Sequence, residues 1–125
     1  MAYNADKLTN ARAEIVKVLT SDNIPLRDIQ AAQITFPSTY KEDEWEWIIL
    51  YPGHSDAEFD QWLSKINEIN YYAGYGGQKL YGTIWLKNGL WITRGEYDGS
   101  EWWDLHKRPP LPKRNSIRVN NPNKL

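Results

Sequence analysis

Two dipeptides, Asn88-Gly89 and Asp98-Gly99, constrain this chain more than any other feature, because each interrupts a run of β-forming residues with a pair suited to turning a strand back on itself. Asn, Asp and Gly accept the positive φ that a two-residue hairpin turn requires. Leu80 to Lys107 is therefore expected to form a three-stranded antiparallel meander. If both turns are two residues long, position 87 pairs with 90 and position 97 with 100, and the register of the whole ribbon follows. Alternation then puts Gly82, Ile84, Leu86, Trp91, Gly95 and Trp102 on one face, with the Trp102 indole covering bare backbone where Gly82 and Gly95 face each other. The other face receives Tyr81, Thr83, Trp85, Ile92, Arg94, Glu96, Glu101, Trp103 and Leu105. On it Glu96 stands opposite Glu101, and like charges at that spacing need a neutralising partner, which Arg94 supplies from a diagonal position.

Upstream of the meander the apolar periodicity changes. Leu8, Ala11, Ile15, Val16 and Leu19 recur on one face of a helix expected from Asp6 to about Thr20, ended by Asn23 and Pro25. Ile29 to Phe36 reads as a short strand, and Trp45 to Tyr51 as a second one whose bulky residues suit burial on much of both faces. Ser55-Asp56-Ala57-Glu58 is a capping box, so a helix from Ser55 to Ile69 is expected, with Phe59, Trp62, Leu63, Ile66 and Ile69 as a broad apolar stripe. Tyr71 to Gln78 reads as a glycine-rich aromatic loop. It lacks the Gly-Lys-Ser/Thr ending of a phosphate-binding loop. The expectation is an α+β fold: a four- to five-stranded antiparallel sheet with a C-terminal meander, packed against two helices.

At 125 residues the chain suits one domain, taken as residues 1–108 with a proline-rich basic tail at 109–125. The absence of Cys excludes disulfides and thiolate chemistry. Apolar runs are too short to span a membrane and the N-terminus does not read as a signal peptide, so a soluble, intracellular protein is expected. The net charge of −1 conceals a division. Residues 1–106 carry nine Lys/Arg against all 16 acidic residues, a balance of −7, whereas residues 107–125 carry six Lys/Arg and no acid. An acidic body repels nucleic acid, leaving the tail as the only region suited to it.

Seven Trp, eight Tyr and two Phe exceed what one small core needs, which points to aromatic side chains at a surface. Tyr81, Trp85, Arg94, Glu96, Glu101 and Trp103, with Arg108 nearby, form the candidate contact face, since Trp, Tyr and Arg dominate binding energy at interfaces. Tyr75, Gly76, Gly77 and Gln78 are candidate loop contributors. The same face suits stacking of a planar base, with Arg94 or Arg108 on a phosphate. Glu96 and Glu101 are the carboxylates that a hydrolase would use as acid and base. His54 and His106 have no metal-ligand spacing, and neither a metal nor a cofactor is expected. The tail segment Arg108-Pro109-Pro110-Leu111-Pro112-Lys113-Arg114 has the PxxPxR form of a polyproline II ligand, and its charge also suits the acidic body of a neighbouring copy.

Gly74-Tyr75-Gly76-Gly77-Gln78, Leu80 to Trp85, Trp91 to Trp103 with its Arg-Gly-Glu-Tyr-Asp-Gly core and double tryptophan, and then Pro109 and Pro112 together resemble small accessory proteins of tailed bacteriophages. The resemblance covers about residues 70–112. It implies a viral product made in the cytoplasm of a bacterial host, acting without catalysis on a host defence or takeover target, or alternatively sequestering a nucleotide-derived immune signal. Partners expected on this basis are a host protein or such a small molecule, with homo-oligomerisation as a further expectation.

Overall fold

The computed structural model describes residues 8–38, 43–72 and 77–108. The fold is α+β. Its elements run β1 (Thr9–Asn10), α1 (Ala11–Ser21), a 3-10 turn, β2 (Ile29–Pro37), β3 (Trp45–Leu50), α2 (Asp56–Asn67), β4 (Asn70–Tyr71), β5 (Tyr81–Leu86), β6 (Leu90–Tyr97) and β7 (Ser100–Lys107). Five strands form one antiparallel sheet in the order β3-β2-β5-β6-β7. The short pair β1–β4 is separate and joins Thr9 to Tyr71 and Asn10 to Asn70.

Both helices have identifiable starts. α1 begins later than its apolar periodicity implied, because the Asn10 side chain accepts from Ala13 N at 2.9 Å and fixes the N-cap there. Leu8 is consequently outside the helix and exposed, as is Val16, while Ala11, Ile15 and Leu19 are buried. The Asn10 amide also donates to Asn67 O and to Asn70 Oδ1, which ties the start of α1 to the end of α2. In α2 both halves of the capping box are made, Glu58 N to Ser55 Oγ and Ser55 N to Glu58 Oε1. The whole expected stripe from Phe59 to Ile69 is buried.

The two helices cover one face of the sheet, where Ala32, Ile34, Leu50, Ile84, Leu86 and Ile92 meet Ile15, Leu19, Phe59 and Ile66. That face is the core. β3 departs from expectation: the helices cover only one face of the sheet, so Trp45, Trp47 and Ile49 on its other face are exposed.

The meander keeps one of its two expected turns. Asp98-Gly99 is a two-residue turn with φ of 51° and 87°, and Tyr97 pairs with Ser100. The first turn has three residues, Lys87-Asn88-Gly89, with Asn88 and Gly89 at φ 65° and 72°, so Thr83 pairs with Thr93, Ile84 with Ile92 and Trp85 with Trp91. One added residue moves every β5 side chain to the opposite face relative to β6. The physical reason lies in the aliphatic residues. In the three-residue register Ile84, Leu86 and Ile92 all point at the helices, whereas the two-residue register places Ile92 on the opposite face from the other two. Gly82 therefore does not face Gly95. It lies opposite Ile34, and a Cβ there would meet Gln33 O at 2.5 Å.

Candidate functional site

The altered register splits the expected contact face between the two sides of the sheet. Arg94, Glu101 and Trp103 point at the helices. Tyr81 and Trp85 point the other way, and Glu96 stands at the exposed end of the covered side, where its carboxylate accepts from Gly99 N at 3.0 Å. Arg108 is exposed at the end of β7, its side chain against Gly89. Gly77 is exposed, and the Gln78 amide donates to Leu80 O at 2.7 Å. Tyr75 and Gly76 lie outside the described residues, as does the tail from Pro109 onward.

On the covered side, the Arg94 side chain is 2% exposed and the Glu101 side chain 0%. Arg94 Nη2 donates to Glu101 Oε1 at 2.5 Å and to Tyr71 Oη at 2.8 Å, and Nε donates to Leu80 O at 3.2 Å. Nη1 stands 3.5 Å from Glu14 Oε2, close enough to pair as charges but without a hydrogen bond. Glu101 also accepts from the backbone N–H groups of Lys79 and Leu80 at 2.8 and 3.0 Å. The Tyr71 hydroxyl donates to Glu14, and the Trp103 ring lies 5.0 Å from the guanidinium carbon. The β1–β4 pair makes this meeting possible by holding Tyr71 beside the start of α1.

Two carboxylates share one guanidinium here, and the protonation equilibria reflect it. Burial raises Glu14 above its ordinary carboxylate value, more than the Tyr71 hydrogen bond and the Arg94 charge lower it. Burial likewise raises the Tyr71 hydroxyl, reinforced by its bond to Glu14. For Arg94, burial opposes the charge, but Tyr71, Glu101 and Glu14 more than offset it and its proton is held more tightly. Every Glu101 oxygen is engaged inside the protein. The cluster ties α1, β4, β6 and β7 together, and Glu96 and Glu101 do not form an open carboxylate pair.

The uncovered side is where the aromatic residues gather. Read across the strands, the face has three rows. One contains Ala31, Trp85, Trp91 and His106; the next Ile49, Gln33, Thr83, Thr93 and Asp104; the third Trp47, Thr35, Tyr81, Gly95 and Trp102. A polar row thus runs between two aromatic ones. Trp47 is 56% exposed, Trp85 and Tyr81 42% each, and Trp102 38%. Trp45 adds to the third row by an edge contact with Tyr81, ring centroids 5.5 Å apart. Trp91 stacks on His106 at 5.4 Å, and His106 Nε2 is 2.7 Å from Thr93 Oγ1. The Trp102 indole does cover Gly95, as expected, and is held there by a 2.8 Å bond from Nε1 to Asp104.

Five of the seven tryptophans are on this open face, and the two others, Trp62 and Trp103, are buried. Trp45, Trp47, Trp91 and Trp102 were not among the expected contact residues; the aliphatic pattern of β5 and β6 was the signal that would have assigned Trp91 and Trp102 to the open face. Asp104 is the one charged residue in the three rows. Among the described residues no group of three or more His, Cys, Asp or Glu is placed to hold a metal, and no helix is long and apolar enough to cross a membrane. No protein-family model, curated protein or solved structure matches the chain.

Proposed function

We propose that the protein is a non-enzymatic binding protein whose contact surface is the open aromatic face of the sheet, and that its partner is another protein. The observation that carries this reading is the concentration of five tryptophans on one uncovered, nearly uncharged face. Large exposed aromatic patches mark association surfaces, and Trp and Tyr anchor them. In the bacteriophage setting implied by the sequence resemblance, the partner is a host protein whose activity the contact blocks.

Two features favour a protein over a nucleotide-derived signal. Arg94, one of the two residues expected to hold a phosphate, is buried and bonded to Glu101, Tyr71 and Leu80, and the other, Arg108, stands at the end of β7 with its side chain against Gly89. The three rows offer rings for stacking, and the one charged residue within them is the Asp104 carboxylate. The test is capture from bacterial lysate by the full chain and by its Trp47→Ala and Trp85→Ala variants, with mass analysis of bound proteins and small molecules. The reading expects a protein that both variants lose. A bound species retained equally by both variants would refute it, and so would a small molecule as the sole ligand.

A further inference from the structure

We infer that β3 is a dimerisation edge: it pairs antiparallel with the β3 of a second copy, centred on Trp47, and joins two five-stranded sheets into one. The inference concerns the rim of the sheet and stands whether or not a partner binds the open face.

The first observation is an unpaired backbone. β3 ends the strand order, and among the described residues no strand lies on its outer side. Ser38 N donates to Glu44 O at 2.8 Å, and the β2–β3 pairs run on from there without a break, from Pro37 with Trp45 to Ala32 with Leu50. Hydrogen-bonded and non-hydrogen-bonded pairs alternate along an antiparallel ladder, so Glu46, Ile48 and Leu50 turn their N–H and C=O groups to β2. Trp45, Trp47 and Ile49 turn theirs outward.

The second is that little on the strand blunts this edge. Sheet edges are commonly protected by Lys, Pro, bulges or charge. Trp45-Glu46-Trp47-Ile48-Ile49-Leu50 has no Lys, Pro or Gly, and its pairing with β2 has no register shift. β7, at the opposite rim, carries Glu101, Asp104 and Lys107.

The third is that the edge complements itself. Outward-facing residues must oppose one another, which leaves a two-fold pairing few registers. Centred on Trp47, it sets Trp47 against Trp47 of the second copy and Trp45 against its Ile49, and it engages every outward N–H and C=O of the strand. Centred on Glu46, it would set two carboxylates directly opposite each other. Centred on Ile48, it would oppose Trp45 to Tyr51, which lies past the strand end and whose carbonyl already accepts from His54 Nδ1. In the Trp47 register Glu46 faces Ile48, and the two Glu46 side chains meet only diagonally, in a cleft that Lys65 also lines.

Trp45 and Trp47 are about half exposed, so at ~150–250 Å² per aromatic side chain they offer about 250 Å² per copy. Even with Ile49 and the backbone added, this is less than the ~800 Å² per partner of a standard interface, so the dimer forms and dissociates with concentration. The two-fold axis stands perpendicular to the sheet. Both sets of helices then lie on one side and both aromatic faces on the other, and pairing widens the open face without covering it.

The test uses the full chain across a dilution series. Sedimentation should show the mass doubling as concentration rises, and hydrogen exchange should show the Trp45, Trp47 and Ile49 amides gaining protection in parallel. In a mixture of differently labelled chains, an isotope-filtered cross-peak should join Glu46 Hα to Ile48 Hα, the closest pair in this register. Trp47→Lys and Trp47→Glu chains should each stay monomeric, because Trp47 opposes itself, and should dimerise when mixed. A chain that remains monomeric throughout would overturn the inference. So would a dimer whose Trp47 amide stays unprotected, one lacking the cross-peak, or one that Trp47→Lys leaves intact. Protection of these amides that appears only with a different captured protein would assign the edge to that protein and overturn the second copy.

Discussion

The two faces of the sheet use the same residue types for opposite ends. On the covered face, Arg94, Glu101, Trp103 and Tyr71 form a buried cluster in which the Glu101 carboxylate, the Tyr71 hydroxyl and Arg94 Nε and Nη2 are all hydrogen-bonded, while Arg94 Nη1 and Trp103 Nε1 are buried without a hydrogen bond. On the open face, Trp47, Tyr81, Trp85 and Trp102 keep large exposed areas, with Gln33, Thr83 and Thr93 between them. An arginine among aromatics is thus a poor guide to a binding site until the face it lies on is known. Burial turns the group into a structural clamp, and exposure would have made it a recognition element.

The largest expected effect belongs to the clamp. Arg94→Ala leaves Glu101 buried without its cation and should cost about 3–5 kcal/mol of unfolding free energy, measured by urea titration. Trp85→Ala, on the open face, should stay within ~0.5 kcal/mol in the same assay. Equal stability losses would erase the contrast. The next effect runs in the opposite direction: Trp85→Ala should weaken partner binding by about 2 kcal/mol or more, roughly thirtyfold in Kd, read by titration against the captured protein.

A smaller and more local effect is expected at Gly95. A Cβ there would lie 2.6 Å from Asp104 Oδ2 and 2.7 Å from Trp102 Nε1, so Gly95→Ala must push the indole off the strand. The cost should be about 1–3 kcal/mol, with the Trp102 indole N–H signal shifted, whereas Gly77→Ala, with nothing within 4 Å, should move neither. The smallest effect is the pH dependence of the clamp. Because folding raises Glu14 above its ordinary value of 4.5, the folded state holds a proton that the unfolded chain has released. The resulting stabilisation is complete below that ordinary value and is lost as pH rises through the raised one. Glu14→Gln should flatten that decline in a series of urea titrations across the mildly acidic range.

Much of this architecture was readable from local pattern. Ser55 and Glu58 announced α2, its apolar stripe named its buried residues, and Asp98-Gly99 placed Glu96 opposite Glu101 and Trp102 over Gly95. The assignment of faces was not readable from the Asn88-Gly89 pair alone, since that dipeptide serves two- and three-residue turns alike and the choice falls to the hydrophobic register of the strands around it. Glu14 and Tyr71 are 57 residues apart, and only the β1–β4 pair brings them together. Nothing local in either segment signals that contact.

Trp102 and Trp103 are neighbours in sequence on opposite sides of the sheet, which makes them the sharpest test of which face is open. Mass-resolved oxidation of indole side chains in the folded full-length protein should modify Trp102 together with Trp45 and Trp47 while leaving Trp103 and Trp62 intact. Trp103 reacting as readily as Trp102 would put the Arg94 cluster at the surface and contradict the account.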